Sequence, residues 1–127
     1  MEIFELLISS GLFILIWIIQ YLHYPSFLFV DQKVFPEFEA FHTRRISVIV
    51  IPLMISELIL LIFNPRPILV VTVSLIWLST FLLQVPCHNR LKHGYDERII
   101  KKLIQTNWIR TMLWTLKFLY LLGVQKW

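Results

Sequence analysis

From Ile46 to Pro86 the chain reads ISVIVIPLMISELILLIFNPRPILVVTVSLIWLSTFLLQVP, and this stretch decides the fold. Two apolar runs, Ile46–Phe63 and Ile68–Pro86, flank the tetrad Asn64-Pro65-Arg66-Pro67. A bilayer core takes about 20 residues of apolar helix. Each run has close to that length, the first with a single charge, Glu57, and the second with none. The proline-rich tetrad is a minimal turn. The pair is therefore predicted to form an antiparallel helical hairpin in a membrane.

Two further windows of the same kind lie on either side. Ile3–Tyr24 is interrupted by Glu5, Ser9, Ser10 and Gln20, and Leu103–Val124 carries Asn107, Arg110 and Lys117. The expected fold is all-α, an antiparallel four-helix transmembrane bundle forming a single membrane domain over residues 1–127. Composition agrees. Only 16% of the residues are charged, where soluble domains carry roughly 25%, and mean hydropathy is +0.72. The net charge of +4 does not point to nucleic acid, because the basic residues sit between apolar runs rather than in a stripe. They read as membrane-flanking charges, with lipids as the partners. Glu2 and Glu5 replace the basic start of a cleavable signal peptide. The lone Cys87 excludes an internal disulfide and a cysteine-only metal site.

The connections set the topology. Between the first two spans, Val34, Phe35, Phe38 and Phe41 fall at helical spacing among Asp31, Lys33, Glu37 and Glu39, which predicts a short helix lying in the interface plane. In the third connection Asp96 is placed to cap a helix. Periodicity then runs unbroken from Ile100 through Leu103, Ile104, Asn107 and Thr111 to Trp114, so the fourth helix is expected to project beyond the membrane. Lys33, Arg44, Arg45, Arg90, Lys92, Arg98, Lys101, Lys102 and Arg110 lie at one end of the bundle, against Arg66, Lys117 and Lys126 at the other. By the positive-inside rule both termini face out and the two long connections are cytoplasmic.

Polar groups inside hydrocarbon are costly and are expected to face the bundle interior. Gln20, His23 and Tyr24 share a face of the first span, and His42 and Arg45 share one on the second, with Glu57 deeper. Thr80, Gln84 and His88 recur every four residues on the third. Asn107, Arg110, Thr111 and Trp114 form the fourth stripe. Eight residues of ideal helix overshoot two turns by about 80°, so the third stripe drifts. A break at Pro86 is expected to turn His88 inward, toward Asn107 and Arg110. All four stripes thicken toward the cytoplasmic end. Ordinary structural roles compete with function here: Arg44, Arg45 and Arg98 as headgroup anchors, Trp108 and Trp114 as packing residues, the stripes as interhelical glue.

Two chemistries fit these residues. His23, His42 and His88 from three helices at one depth could ligate a metal ion or haem, although no paired-histidine helix motif is present and Glu57 alone supplies an inward carboxylate. Alternatively no cofactor is needed. His23, His42 and His88 would then transfer protons while Asn89, Asn107 and Arg110 orient the substrate or hold an oxyanion. Tyr24, Glu57, Gln84, Trp108, Thr111 and Trp114 would line the substrate site. The substrate would be a lipophilic small molecule entering laterally from lipid.

The segments Gln84-Val85-Pro86-Cys87-His88-Asn89-Arg90-Leu91 and Thr106-Asn107-Trp108-Ile109-Arg110-Thr111, followed by Trp114, resemble a broad group of small four-helix membrane proteins. Its members include uncharacterised bacterial proteins and the anthrone-oxygenase-like proteins. In those relatives a Pro-x-Asn-x-x-Leu-like segment ends helix three, and a segment with Trp and Arg opens helix four. Here Cys87-His88 precede Asn89, a departure from that pattern. The likeness covers about the last 45 residues well, and the first half by layout. It implies a membrane-embedded fold, a bacterial inner membrane, and oxidation of polycyclic aromatic substrates without a known cofactor. The leading expectation is a membrane-embedded enzyme, an oxidoreductase in kind, acting on a lipophilic substrate. A haem- or metal-binding electron-transfer protein and a non-catalytic membrane subunit are the alternatives, and a homo-oligomer stays open.

Overall fold

The structure, a computed structural model, describes residues 1–126. Four helices follow one another: α1 (Glu2–Phe29), α2 (Phe35–Phe63), α3 (Pro67–Leu91) and α4 (Glu97–Val124). Among the described residues there is no strand. By length and composition α1, α2 and α3 can each cross a membrane. The fourth, at 28 residues, has the length, but Asn107, Arg110 and Lys117 lower its apolar character.

Helix starts follow local chemistry. Pro36 and Pro67 occupy the first turns of α2 and α3, where a missing N–H costs nothing. Asp96 caps α4 as expected, its carboxylate accepting from the N–H groups of Arg98 at 3.0 Å and Ile99 at 3.3 Å. Such a cap contributes about 1 kcal/mol. The separate interfacial helix between the first two spans does not form. Its residues are the first turns of α2, which runs unbroken to Phe63 and through Pro52. Nothing between Phe41 and Ile46 breaks a helix, so the amphipathic start and the apolar span fuse.

Both α1 and α3 widen into a π-turn immediately before a proline. In α1, Ile19–His23 is π-helical and Pro25 follows; in α3, Thr80–Gln84 is π-helical and Pro86 follows. A proline ring clashes with the carbonyl four residues back in a regular helix. The wide turn displaces that carbonyl, and the N–H groups of Tyr24 and Val85 bond five residues back, to Ile19 and Thr80. The break expected at Pro86 is thus a bulge just ahead of it, and the helix continues to Leu91. The bulge also lowers the rotation per residue, which takes up the drift of the Thr80–Gln84–His88 stripe.

α4 is the hub, packing along α1 and α3, while α2 packs on both α1 and α3. Contacts between α1 and α4 run in opposite order: Phe13 stacks on Phe118, Trp17 bonds Thr115, and Gln20 meets Asn107. The interior is unusually polar. Glu5, Gln20, Glu39, His42, Glu57, Gln84, Asn107, Arg110 and Lys117 are buried, whereas Tyr21, Leu22, Val48, Ile62, Phe63 and Leu82 are exposed.

Candidate functional site

The π-turns decide which side chains enter the interior at the end of the bundle where α1 meets α2 and α3 meets α4. Gln20 and Gln84, each within a π-turn, are buried, as is Tyr24 one residue after the first turn. His88, one turn beyond the second, points inward as expected. Its partners differ from those expected: Nδ1 meets a carboxylate oxygen of Glu39, and Nε2 lies 3.0 Å from the Tyr24 hydroxyl. Glu39 is fully buried. With Nδ1–H donated to that carboxylate, Nε2 of a neutral ring accepts from the tyrosine O–H. Carboxylate, imidazole and hydroxyl therefore form a line, the arrangement in which a carboxylate orients a histidine base.

Arg110 stands on the other side of Tyr24. Its Nη2 donates to the Tyr24 oxygen at 3.5 Å and to Asn107 Oδ1 at 2.7 Å, and its Nε donates to the same Asn107 oxygen at 2.9 Å. Asn107 in turn donates to Gln20 Oε1 at 2.9 Å, which also accepts from Thr111 at 3.0 Å. Gln84 accepts from Arg110 at 3.4 Å and donates to Thr106 at 2.9 Å. One hydrogen-bonded system thus joins α1, α3 and α4, and Glu39 adds α2.

The three histidines converge. His23 Nε2 lies 2.6 Å from His42 Nδ1, and the His42 ring stacks on His88 with centroids 5.6 Å apart. They converge as one hydrogen-bonded pair, His23 and His42, with His88 stacked against it. Among the described residues no group of three or more His, Cys, Asp or Glu is arranged to hold a metal ion.

A cleft of about 500 Å³ opens between α2 and α3, beside the Glu39–His88 contact, and reaches down to α1 and α4. Most of its lining is apolar, with Ile16, Val50, Met54 and Trp77 typical, and exposed Ile51, Ile55, Phe81 and Val85 belong to the same wall. Its polar wall holds Tyr24, Thr80, Gln84, His88 and Arg110, and Trp114 also lines it. That volume is within the usual range for small-molecule sites.

Other expected site residues lie elsewhere. Asn89 is exposed; with His88 turned inward, its neighbour is carried about 100° around the helix. Trp108 is 42% exposed and packs edge-on against Trp17 instead of lining the cleft. Thr111 is buried beside Gln20, behind the cleft wall. Glu57 belongs to the far half, where Lys117 Nζ lies 2.7 Å from its Oε1 and Trp114 Nε1 donates to the same oxygen at 3.2 Å. Glu39 was missed as a site residue. Its signal was present: Phe35, Glu39 and His42 fall at i, i+4 and i+7, one buried face of α2. Compared with known proteins, the chain matches no family model, no curated protein and no solved structure.

Proposed function

We propose that the protein is an integral membrane enzyme, an antiparallel four-helix bundle that binds a lipophilic small molecule in the cleft between α2 and α3 and moves a proton on it. The observation that carries this is the junction of an apolar, laterally open cleft with the Glu39–His88–Tyr24 line at its polar wall. The distribution of polarity supports the membrane setting: Glu5, Glu39, Glu57, Arg110 and Lys117 are buried while many large apolar side chains are exposed. The histidine end is assigned to the cytoplasm by its excess of Lys and Arg, which leaves both termini outside.

In this reading His88 is the base, held in one tautomer by Glu39. It receives its proton directly from the substrate or through the Tyr24 hydroxyl. Arg110, held by Asn107, stabilises the negative charge that develops on the substrate oxygen. Little water competes in such a cleft, so each of these interactions is stronger than at a surface. The resemblance to anthrone-oxygenase-like proteins supports an oxidoreductase, in which the carbanion or enolate left by deprotonation is the species that is oxidised.

Anthrone is a suitable probe because its acidic methylene exchanges hydrogen without any oxidant. In lipid nanodiscs under deuterium oxide and argon, the wild-type protein should speed deuterium uptake at that carbon, read by mass spectrometry. His88→Gln should not. Uptake no faster than in empty nanodiscs would overturn the reading. Under air, one O2 consumed per anthrone converted to anthraquinone and one water would establish the oxidative step.

A further inference from the structure

Arg110 is a buried cation that meets no anion. It is 6% exposed, and each partner of its guanidinium is neutral. Nε and Nη2 share the Asn107 oxygen at 2.9 and 2.7 Å, while Thr80, Gln84 and Tyr24 stand at 3.3, 3.4 and 3.5 Å. Only the two bonds to Asn107 have full-strength lengths. The Trp114 ring, 5.7 Å from its Cζ, offers a π-face rather than a charge.

The buried carboxylates are committed elsewhere. Glu39 is bonded through one oxygen to His88, its other oxygen having no partner among the described residues; Glu57 is bonded to Lys117 and Trp114, and Glu5 to Arg66. A buried charge without a counter-charge is strongly unfavourable, and here the guanidinium lines a cleft whose other charged lining residue is Lys92. No Asp or Glu lines that cleft. The electrostatic demand exists before any chemistry, so it concerns the ligand as it arrives.

We propose that the cleft takes a single-tailed amphiphile bearing one anionic oxyacid head, with the head on Arg110 and the tail leading between α2 and α3 toward lipid. This rests on the cleft being the ligand site, as above, and goes further by fixing the ligand's charge and shape. A planar guanidinium grips a carboxylate or phosphate through two parallel bonds. The long contacts from Arg110 to Thr80, Gln84 and Tyr24 are the ones such a head replaces, while Asn107 keeps the side chain in place. Apolar Val50, Met54 and Trp77 match an acyl chain. The Tyr24 hydroxyl lies between Arg110 and His88, so proton transfer falls on ligand atoms close to the head.

The test uses the full chain in phosphatidylcholine nanodiscs and three probes: 9,10-dibromostearate, its primary amide, and a lysophosphatidate with the same brominated tail. Bromine quenches the tryptophans, of which Trp77 and Trp114 line the cleft. The acid should reach half-maximal quenching at a membrane mole fraction at least tenfold lower than the amide. Arg110→Gln should bring that ratio close to one, and Arg110→Lys should keep most of it. Stronger quenching by the phosphate than by the carboxylate would assign the head to a phospholipid source, and the reverse to a free acid. The ratio is read first on the wild-type protein, so the result stands even where Arg110→Gln does not fold. Equal quenching by acid and amide in the wild type would overturn the proposal, as would an unchanged ratio in a folded Arg110→Gln. Selective binding of the acid, combined with no deuterium uptake either by anthrone or at the α-carbon of the bound acid, would support the ligand class and sink the enzymatic reading alone.

Discussion

At His88 the two ring nitrogens have opposite neighbours, a carboxylate and a hydroxyl, and a substitution must respect both. Alanine would leave buried Glu39 without its partner and confuse stability with chemistry. Glutamine can donate to Glu39 and accept from Tyr24 yet cannot take a proton. His88→Gln is therefore expected to lower proton-transfer rate by about 10²–10⁴-fold, with a melting temperature close to wild type in nanodiscs. A parallel fall in both would make His88 structural. Glu57 and Lys117 call for a cycle of a different kind. Lys117→Met alone should cost about 3–5 kcal/mol by stranding a buried carboxylate, and adding Glu57→Leu should restore most of it. Denaturation in detergent of the single and double variants measures this, and additive losses would show that the pair is not coupled. The histidines, Gln20, Gln84, Asn107 and Arg110 were legible in the sequence because polar residues in apolar helices are conspicuous. Glu39 was not, because it lies in a stretch where Asp31, Lys33 and Glu37 make charge look ordinary. Asn89 and Trp108 were misplaced for a related reason, since sequence motifs mark neighbours and helices separate them by about 100° per residue.

Element boundaries were harder to read than element existence. The three apolar helices were legible from length alone, whereas the fusion of the 34–41 segment into α2 was not, because an amphipathic pattern fits an interfacial helix and the exposed end of a span equally well. The π-turns left no periodic signal, yet they carry the site. Each inserts roughly one extra residue into its turn and so sets the facing of everything beyond it. Pro86→Ala removes the clash that the wide turn relieves, so Thr80–Gln84 should return to regular helix and swing His88 about 100° off the interior. Helix content by circular dichroism should be nearly unchanged, while ligand quenching and deuterium uptake are lost. Full activity in that variant would show that the bulge does not position His88.

Along the helices, polar groups such as Gln20, Gln84, Asn107 and Arg110 are buried while many large apolar side chains face outward, which is the arrangement a hydrocarbon solvent favours. The proposed topology follows: a C-terminal reporter active only in the cytoplasm should stay silent, and Cys placed at His93 should resist impermeant thiol reagents added outside. A bright reporter together with outside labelling would invert the assignment. The least apolar helix is also the hub, and this has a consequence for biosynthesis. Helices α1 to α3 can each enter a bilayer on their own hydrophobicity. With Asn107, Arg110 and Lys117 spread along its length, α4 enters at little cost only where Gln20, Gln84 and Glu57 already wait to receive them. Assembly is thus ordered, with three helices first and the fourth threaded into a polar groove that the others have made. A nascent chain halted after Leu91 would hold Gln20, Gln84 and Glu57 bare in lipid, a state that membrane quality control should recognise and clear.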